Sequence, residues 1–223
     1  MSIWIAGTVE EVFAASKTGL VNAIVTNPTV IAGWTKGGQT LESVASDVIS
    51  ATQLPLYMQL HGPTQEHFLR ETAYLKRISD RIIPKLPATR EGLAAAAELE
   101  ANNTETLITT VCSVNQAYAS ASAHATTICP YFSRVRDASE DAIELIRNIA
   151  TLYRRWGVKT HIRPASVRSV QDVQDCLLAG ADGVIIFYDV FEQLFLHPVT
   201  EQSLQAFEAD WEQTNRLETY PFD

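Results

Sequence analysis

The sequence has few cysteines, fewer basic than acidic residues and no long hydrophobic run. Its three cysteines among 223 residues are odd in number and widely spaced, which argues against a disulfide framework. Lysine and arginine total 17 against 26 acidic residues. The resulting net charge of −9 argues against a nucleic-acid-binding surface, but it leaves room for a local positive pocket that holds a small anion. No apolar run reaches the roughly 18 residues that a membrane span requires.

The sequence also lacks metal-ligand spacing and the features of a signal peptide. The five histidines form no metal-binding pattern with each other or with the cysteines, so neither a metal site nor another cofactor is expected. The first residues lack the basic start of a signal peptide and have the pattern of a strand instead. A cytoplasmic protein is therefore the default expectation.

Strand-like and helix-like stretches alternate along the whole chain. Eight strands are predicted, at residues 3–6, 22–25, 55–60, 81–86, 106–110, 127–131, 158–164 and 183–187. Eight strand-then-helix units can form a closed barrel or an open doubly wound sheet. No G-x-G-x-x-G or phosphate-loop motif follows any strand, which removes the usual markers of the open sheet. We therefore predict a single-domain (β/α)8 TIM barrel over residues 1–223.

The helices between the predicted strands have recognisable starts. Thr64 and Thr89 stand where N-caps are expected, because threonine side chains accept hydrogen bonds from the first free amides of a helix. Longer helices are predicted at residues 9–17, 41–51, 64–78, 139–156 and 170–179. A last helix is predicted at residues 201–215, where Leu204, Phe207 and Trp211 recur at helical spacing.

Lys85 lies near the carboxyl end of the fourth predicted strand. Because side chains alternate along a strand, Ile83, Lys85 and Pro87 share one face. The local sequence allows two interpretations of this lysine. It is either an edge lysine that extends its ammonium to water, or a desolvated amine that can attack carbonyl groups.

Active sites of barrels lie at the carboxyl ends of the strands, which gives a set of candidate residues. Reading off those ends yields Ala6, Asn27, Gln59, His61, Lys85, Thr109, Tyr131 and Ser166. One lysine among small polar groups suits imine chemistry better than glycoside hydrolysis, which requires two carboxylates. Arg134, Ser166 and Arg168 follow the sixth and seventh strands, where they form either a phosphate site or ordinary polar loops.

Four stretches of the sequence match the pattern of a known family, and their order and spacing extend nearly end to end. They are Thr26-Asn-Pro-Thr-Val-Ile-Ala32, Ile83-Pro-Lys-Leu-Pro-Ala-Thr-Arg-Glu-Gly-Leu93, Pro130-Tyr-Phe-Ser-Arg134 and Ala165-Ser-Val-Arg168. The chain resembles the bacterial fructose-6-phosphate aldolases, the small-subunit branch of the transaldolase family. The resemblance implies a metal-independent, cofactor-free class I aldolase that joins a dihydroxyacetone- or hydroxyacetone-type donor to an aldehyde such as glyceraldehyde 3-phosphate, or cleaves the product.

The resemblance also implies a role for each candidate residue. Lys85 would form the Schiff base with the donor carbonyl, and Asn27 would contact substrate hydroxyls near the imine. Three residues would hold the water that relays protons, with the last as acid/base: Gln59, Thr109 and Tyr131. Three more would bind the phosphate of the aldehyde: Arg134, Ser166 and Arg168.

Two rival functions remain open beside the aldolase. A transaldolase would transfer the three-carbon unit between sugar phosphates, but such enzymes have glutamate at the position of Gln59 and phenylalanine at that of Tyr131. A barrel that binds a sugar phosphate without turnover is the alternative of another class. It is suggested by Ala6, which stands where the family usually has an aspartate facing the imine. The absence of this aspartate implies either a less hydroxylated donor or lower activity on sugars.

Two further positions depart from the family pattern. His61 is expected to point into the barrel mouth with Gln59, where it either transfers protons or forms a supporting hydrogen bond. Arg163 occupies a usually apolar position. It either extends the phosphate site, accepts a carboxylated aldehyde or forms a salt bridge to a neighbouring loop.

The resemblance further implies a homo-oligomer, because these small aldolases form pentameric rings stacked into decamers. The C-terminal helix and tail, at about residues 201–223, would pack on a neighbouring subunit. The expected ligands are a small ketose, an aldehyde or a sugar phosphate.

Overall fold

The computed structural model describes residues 1–215, in which eight parallel strands form a ring. The strands are β1 Ser2–Ala6, β2 Val21–Val25, β3 Leu56–Gln59, β4 Ile82–Pro87, β5 Leu107–Val111, β6 Thr127–Pro130, β7 His161–Ile162 and β8 Gly183–Phe187. From β1 to β7 each strand pairs with the next along the chain, and β8 pairs with β1. The amide of Ile185 donates a hydrogen bond of 2.9 Å to the carbonyl of Pro164, which joins β8 to the segment after β7. The predicted (β/α)8 TIM barrel is confirmed.

Eleven helices surround the strands within residues 1–215. They are α1 Val9–Lys17, α2 Pro28–Thr35, α3 Leu41–Thr52, α4 Gln65–Lys76, α5 Arg90–Ala101, α6 Val114–Ser122, α7 Phe132–Asp137, α8 Ala142–Trp156, α9 Val170–Leu178, α10 Tyr188–Gln193 and α11 Pro198–Glu212. None of these helices is long and apolar enough to cross a membrane.

The strands carry two separate apolar layers, because successive side chains point to opposite faces. The outward-facing side chains form the main core with the helices. The inward-facing side chains form a smaller cluster that fills the barrel: Trp4, Ala23, Val25, Tyr57, Ile83, Leu107, Cys129 and Ile185. Ile83 belongs to the inner cluster, so the lysine two residues later on β4 also faces the barrel interior.

The turn from β4 into α5 depends on two residues. The Thr89 side chain accepts a hydrogen bond of 3.2 Å from the amide of Gly92, which confirms Thr89 as the N-cap of α5. A Cβ atom at position 92 would overlap the carbonyl oxygen of Pro87. Glycine therefore lets α5 pack closely against the end of the strand that carries Lys85. Thr64 likewise caps α4.

Between residues 132 and 162, three elements differ from the sequence prediction. The short helix α7 was not predicted, and α8 begins at Ala142 with Asp141 as its cap rather than at residue 139. Ser139 has a φ of 64°, in the left-handed region, which separates the two helices. Regular β7 covers only two residues, because Pro130 on the neighbouring strand β6 has no amide hydrogen with which to continue the ladder.

The last helix begins three residues earlier than predicted. His197 caps it, and its side chain accepts a hydrogen bond from the amide of Val199. No residue of α11 is buried. Leu204 and Phe207, two of the apolar residues that predicted this helix, are 61% and 63% exposed. Residues 216–223 of the predicted C-terminal tail lie outside the described residues.

Candidate active site

A cavity of about 920 Å³ opens at the carboxyl ends of the strands. Seven of the ten candidate residues line it: Ala6, Asn27, Lys85, Tyr131, Arg134, Ser166 and Arg168. The other three, Gln59, His61 and Thr109, do not belong to its lining. The barrel therefore brings together residues that are separated by up to 162 positions in the sequence, from Ala6 to Arg168.

Lys85 is buried at the base of this cavity, with only 4% of its surface exposed. Its Nζ donates a hydrogen bond of 2.9 Å to the backbone carbonyl of Thr26, the residue that follows β2. No carboxylate lies within ion-pair distance of Nζ among residues 1–215. The interpretation of Lys85 as an edge lysine that extends to water is therefore wrong.

Burial lowers the pKa of Lys85 from its ordinary value, and the positive charge of Arg134 acts in the same direction. An ammonium group loses hydration on burial, and the opposing electrostatic contribution of Cys129 is too small to offset the loss. The neutral amine, which carries the lone pair that attacks carbonyl carbon, is therefore populated at lower pH than in a solvent-exposed lysine.

Tyr131 places a hydroxyl group in the cavity beside β5. The Thr109 hydroxyl donates a hydrogen bond of 3.1 Å to the phenol oxygen, and Thr109 itself is fully buried. Desolvation raises the pKa of Tyr131, so the phenol stays protonated and can donate a proton. The guanidinium carbon of Arg134 lies 5.1 Å from the centroid of the Tyr131 ring, within cation–π distance.

Gln59 ends β3 and His61 follows two residues later, but the two side chains have different surroundings. Gln59 pairs with Lys85 in the β3–β4 register, and its Oε1 is buried without a hydrogen-bond donor among residues 1–215. His61 is exposed, and its amide donates a hydrogen bond of 2.7 Å to Glu71 Oε2. The expected placement of His61 in the barrel mouth does not hold, because the chain has left the strand and turned towards α4.

Asn27 and Ala6 lie at the ends of β2 and β1. The Asn27 Oδ1 accepts a hydrogen bond of 2.9 Å from the amide of Val30 and caps α2, while the side chain also lines the cavity. Ala6 lines the cavity together with Val25 and Ile185, and all three are at least 95% buried. These three side chains therefore give the cavity an apolar patch.

The three candidate phosphate ligands lie at the opposite wall of the cavity. Arg134 follows Tyr131 in α7, and Ser166 has a φ of 57° in the loop after β7. The carbonyl of Ser166 accepts a hydrogen bond of 3.1 Å from the amide of Ser133. The Arg168 guanidinium makes two hydrogen bonds, of 2.7 and 3.1 Å, to the carboxylate of Asp137.

A buried carboxylate fixes the loop that carries these residues. Asp172 accepts two hydrogen bonds from the Arg136 guanidinium, at 2.6 and 3.2 Å, and one of 3.0 Å from the amide of Arg168. Burial alone would raise the pKa of Asp172, but the hydrogen bonds from Arg136 and Arg168 outweigh it and hold the pKa low. The ionised carboxylate therefore ties α7 to the β7–α9 loop.

Arg163 lies at the other end of the barrel. Its Nε donates to Ser2 Oγ at 2.9 Å and its Nη1 donates to Thr127 Oγ1 at 3.0 Å. Its guanidinium carbon is 4.4 Å from the ring centroid of Trp4. Because Ser2 and Thr127 begin their strands, Arg163 neither extends the phosphate site nor forms a salt bridge to a neighbouring loop.

The sequence reasoning did not identify several residues that line the cavity beside β1 and β2. They are Glu10, Glu11, Phe13, Trp34, Gln39 and Asp47. Most belong to the helices that follow these strands. Segments that follow the strands surround the carboxyl-terminal face of a barrel, where active sites lie. Trp34 is fixed there by a hydrogen bond of 2.9 Å from its Nε1 to the carbonyl of Gly7. Within residues 1–215, no three His, Cys, Asp or Glu side chains form a group that could hold a metal ion.

Comparison with solved structures shows how general the architecture is. A structure of mandelate oxidase with (S)-2-phenylpropionate matches with a TM-score of 0.60 at 12% identity, covering 84% of this chain and 64% of that chain. A second mandelate oxidase structure matches with a TM-score of 0.57 at 14% identity, covering 85% of this chain and 65% of the other. Identity this low shows a shared fold alone.

Sequence comparison is more specific. The family model "Transaldolase/Fructose-6-phosphate aldolase" matches residues 6–220. A probable transaldolase of Caulobacter sp. is 35% identical over 217 residues, which cover 97% of this chain and 99% of that protein. Probable transaldolase 1 of Listeria monocytogenes is 34% identical over 204 residues, covering 92% of this chain and 94% of the relative. The chain belongs to the transaldolase/fructose-6-phosphate aldolase family and is an enzyme of the class I aldolase/transaldolase type.

Proposed function

We propose that the chain is a Schiff-base aldolase of the fructose-6-phosphate aldolase type, in which Lys85 is the nucleophile. The observation that carries the proposal is the burial of its Nζ without a carboxylate partner among the described residues. The neutral amine attacks the carbonyl carbon of a dihydroxyacetone- or hydroxyacetone-type donor. Loss of one water molecule from the adduct leaves a protonated imine.

The imine activates the carbon next to it. In the synthetic direction this carbon loses a proton, and the resulting enamine attacks the aldehyde carbonyl, whose oxygen takes up a proton. Water then hydrolyses the imine and releases the ketose and the free lysine. The phenol of Tyr131 supplies and accepts the proton, supported by its hydrogen bond from Thr109. The buried, unpaired Oε1 of Gln59 is suited to accept a hydrogen bond from water in this relay.

Binding of the two substrates is assigned to opposite walls of the cavity. On the basic wall, Arg134, Ser166 and Arg168 hold the phosphate of an aldehyde such as glyceraldehyde 3-phosphate, which positions its carbonyl for attack. Near the imine, the side-chain amide of Asn27 contacts a hydroxyl group of the donor substrate. The apolar patch around Ala6 favours a donor with fewer hydroxyl groups, such as hydroxyacetone, because a buried hydroxyl without a partner is costly.

Transaldolase activity is the second candidate, since the relatives are named probable transaldolases. Gln59 and Tyr131 favour the aldolase, because the family resemblance implies glutamate and phenylalanine at these two positions in true transaldolases. An assay with fructose 6-phosphate separates the two candidates. An aldolase releases dihydroxyacetone without an acceptor, whereas a transaldolase requires an acceptor sugar phosphate.

Borohydride trapping tests the imine directly. The protein is incubated in parallel with dihydroxyacetone, hydroxyacetone and fructose 6-phosphate, reduced, and analysed by intact mass and peptide mapping. We expect one reduced adduct, on Lys85, that is absent in Lys85→Met. Lys76 is the internal control, because burial also lowers its pKa but it lies outside the cavity. Absence of any adduct in folded protein would contradict the proposal and favour the barrel that only binds a sugar phosphate.

A homo-oligomer is proposed from the last helix. No residue of α11 is buried, and the exposed side chains of Leu204 and Phe207 lie on it at a spacing of three residues. Packing on a neighbouring subunit would cover this apolar surface, as the family resemblance implies for a pentamer or decamer. Sedimentation of Phe207→Ser tests it, with dissociation as the expected result. The cytoplasmic location stays a prediction.

A further inference from the structure

Three arginines and two carboxylates surround the basic wall of the cavity. Arg136 is committed to Asp172 inside the protein, and Arg168 is paired with Asp137. Arg134 has no carboxylate within ion-pair distance among residues 1–215 and lies over the Tyr131 ring instead. The proposed phosphate site therefore contains one arginine without an anionic partner and one that is already neutralised.

The Arg168–Asp137 pair has the geometry of two parallel hydrogen bonds. Nη2 donates to Oδ2 at 2.7 Å and Nη1 donates to Oδ1 at 3.1 Å. A carboxylate and a phosphate present similar pairs of oxygens to the guanidinium fork, so both compete for the same donors. Arg168 lines the cavity whereas Asp137 does not. The carboxylate of Asp137 therefore binds Arg168 from outside the cavity.

Asp137 occupies a position that a carboxylate does not favour by itself. It is the last residue of α7, where the negative end of the helix repels an anion. The hydrogen bonds from Arg168 nevertheless hold the pKa of Asp137 low, with smaller contributions from Arg136 and Arg134. Both partners are 53% exposed, so the pair can open without disrupting the core. Asp172 anchors the Arg168 backbone independently of this pair.

We propose that Asp137 is a specificity-determining residue that competes with the phosphate of the aldehyde for Arg168. A phosphorylated aldehyde must displace Asp137 to gain the second guanidinium, whereas a neutral aldehyde leaves the pair closed. Asp137 thus reduces the preference of the site for phosphorylated over neutral aldehydes. The inference rests on the proposed function for the identity of the substrate, but the competition for Arg168 is measurable without turnover.

The first experiment measures binding of inorganic phosphate to the full chain by 31P NMR titration. In Asp137→Asn, Arg168 is released, and we expect phosphate to bind about two- to fivefold more tightly, the range typical of exposed ion pairs. The gain must disappear in the double variant Asp137→Asn/Arg168→Gln. Glu144→Gln is the matched control, because Glu144 forms a similarly exposed arginine pair away from the cavity and should not alter phosphate affinity.

The second experiment compares kcat/KM for glyceraldehyde 3-phosphate and glyceraldehyde with the same donor. Asp137→Asn should raise the ratio by the same two- to fivefold and leave the value for glyceraldehyde unchanged. The inference is overturned if Asp137→Asn binds phosphate like the unmodified chain, or if the gain persists in the double variant. If Lys85 is not trapped by borohydride but the phosphate result is as expected, the proposed function fails and the competition stands.

Discussion

Two cations lie inside the barrel, and they differ in what burial does to them. Lys85 is at the carboxyl end of the strands, beneath the cavity, and Arg163 is at the amino end. Burial lowers the pKa of both groups from their ordinary values, and neither has a carboxylate within ion-pair distance among residues 1–215. At both sites, therefore, burial disfavours the positive charge and no carboxylate offsets that cost.

The chemistry of the side chains separates their outcomes. An amine can lose its proton and become neutral. Within residues 1–215, Lys85 has a single hydrogen bond, to a carbonyl oxygen, that the neutral amine can also donate. A guanidinium stays charged in proteins, so Arg163 must satisfy its donors in place. It does so with two hydroxyl groups and the face of Trp4, which is itself stacked on Tyr57 at 4.3 Å. The same burial favours a neutral amine at one end, as the proposed nucleophile requires, and a hydrogen-bonded arginine that links two strands at the other.

Replacing Lys85 with arginine should have the largest effect on activity, because it puts the charge of Arg163 at the position of the amine. In Lys85→Arg the charge is kept but cannot be lost, so we expect no imine and no aldolase activity, as in Lys85→Met. The measurement is aldol cleavage together with borohydride trapping and mass analysis. Activity in Lys85→Arg comparable to that of the unmodified enzyme would show that the nucleophile lies elsewhere.

Removing the Tyr131 hydroxyl should separate imine formation from carbon–carbon chemistry. We expect Tyr131→Phe to lower the aldol rate by about 10²- to 10⁴-fold, the usual contribution of a positioned acid/base, while Lys85 is still trapped with donor. Tyr118→Phe is the control, because that tyrosine is exposed on α6 and lies outside the cavity. An unchanged rate in Tyr131→Phe would assign proton transfer to another group.

Arg163 should matter for stability rather than for chemistry. In Arg163→Met, the hydroxyls of Ser2 and Thr127 lose their donors and the Trp4 face loses its cation. We expect the free energy of unfolding in urea to fall by about 1–3 kcal/mol, the cost of buried groups left unpaired. Activity per folded molecule should be retained. Arg147→Met, at an exposed pair on α8, should change stability by far less. A lost activity with unchanged stability would contradict the structural role.

Much of the barrel could be predicted because its signals are local. Alternation of strands and helices, the caps Thr64 and Thr89 and the inward face of β4 follow from neighbouring residues. Seven residues of the cavity lining also followed from the rule that barrel sites lie at strand ends. Lys85 could be located in this way, but its depth could not, since burial depends on Thr26 and other residues distant in sequence.

The predictions that failed show what local sequence signals cannot specify. Arg163 was linked to the phosphate residues because it precedes Ala165 by two positions. Two residues along a strand correspond to about 6–7 Å, which moves an inward side chain down by one layer of the barrel. The α7 helix was missed because six residues form a helix only with tertiary support, and the Asp137–Arg168 pair was missed with it.

The protonation state of Lys85 in the folded chain can be measured without substrate, because it changes how stability depends on pH. The pKa of Lys85 is lowered in the folded state and ordinary, about 10.5, in the unfolded state. Between these two values the unfolded chain binds more protons, so the free energy of unfolding rises with pH, by at most about 1.4 kcal/mol per pH unit. Lys85→Met lacks this contribution, so the stability of the unmodified chain relative to Lys85→Met should increase as pH rises towards 10.5. Urea titrations at several pH values measure it, with exposed Lys17→Met as the control that follows the unmodified chain. Parallel curves for the unmodified chain and Lys85→Met would mean that Lys85 keeps an ordinary pKa, and the contrast with Arg163 would then be lost.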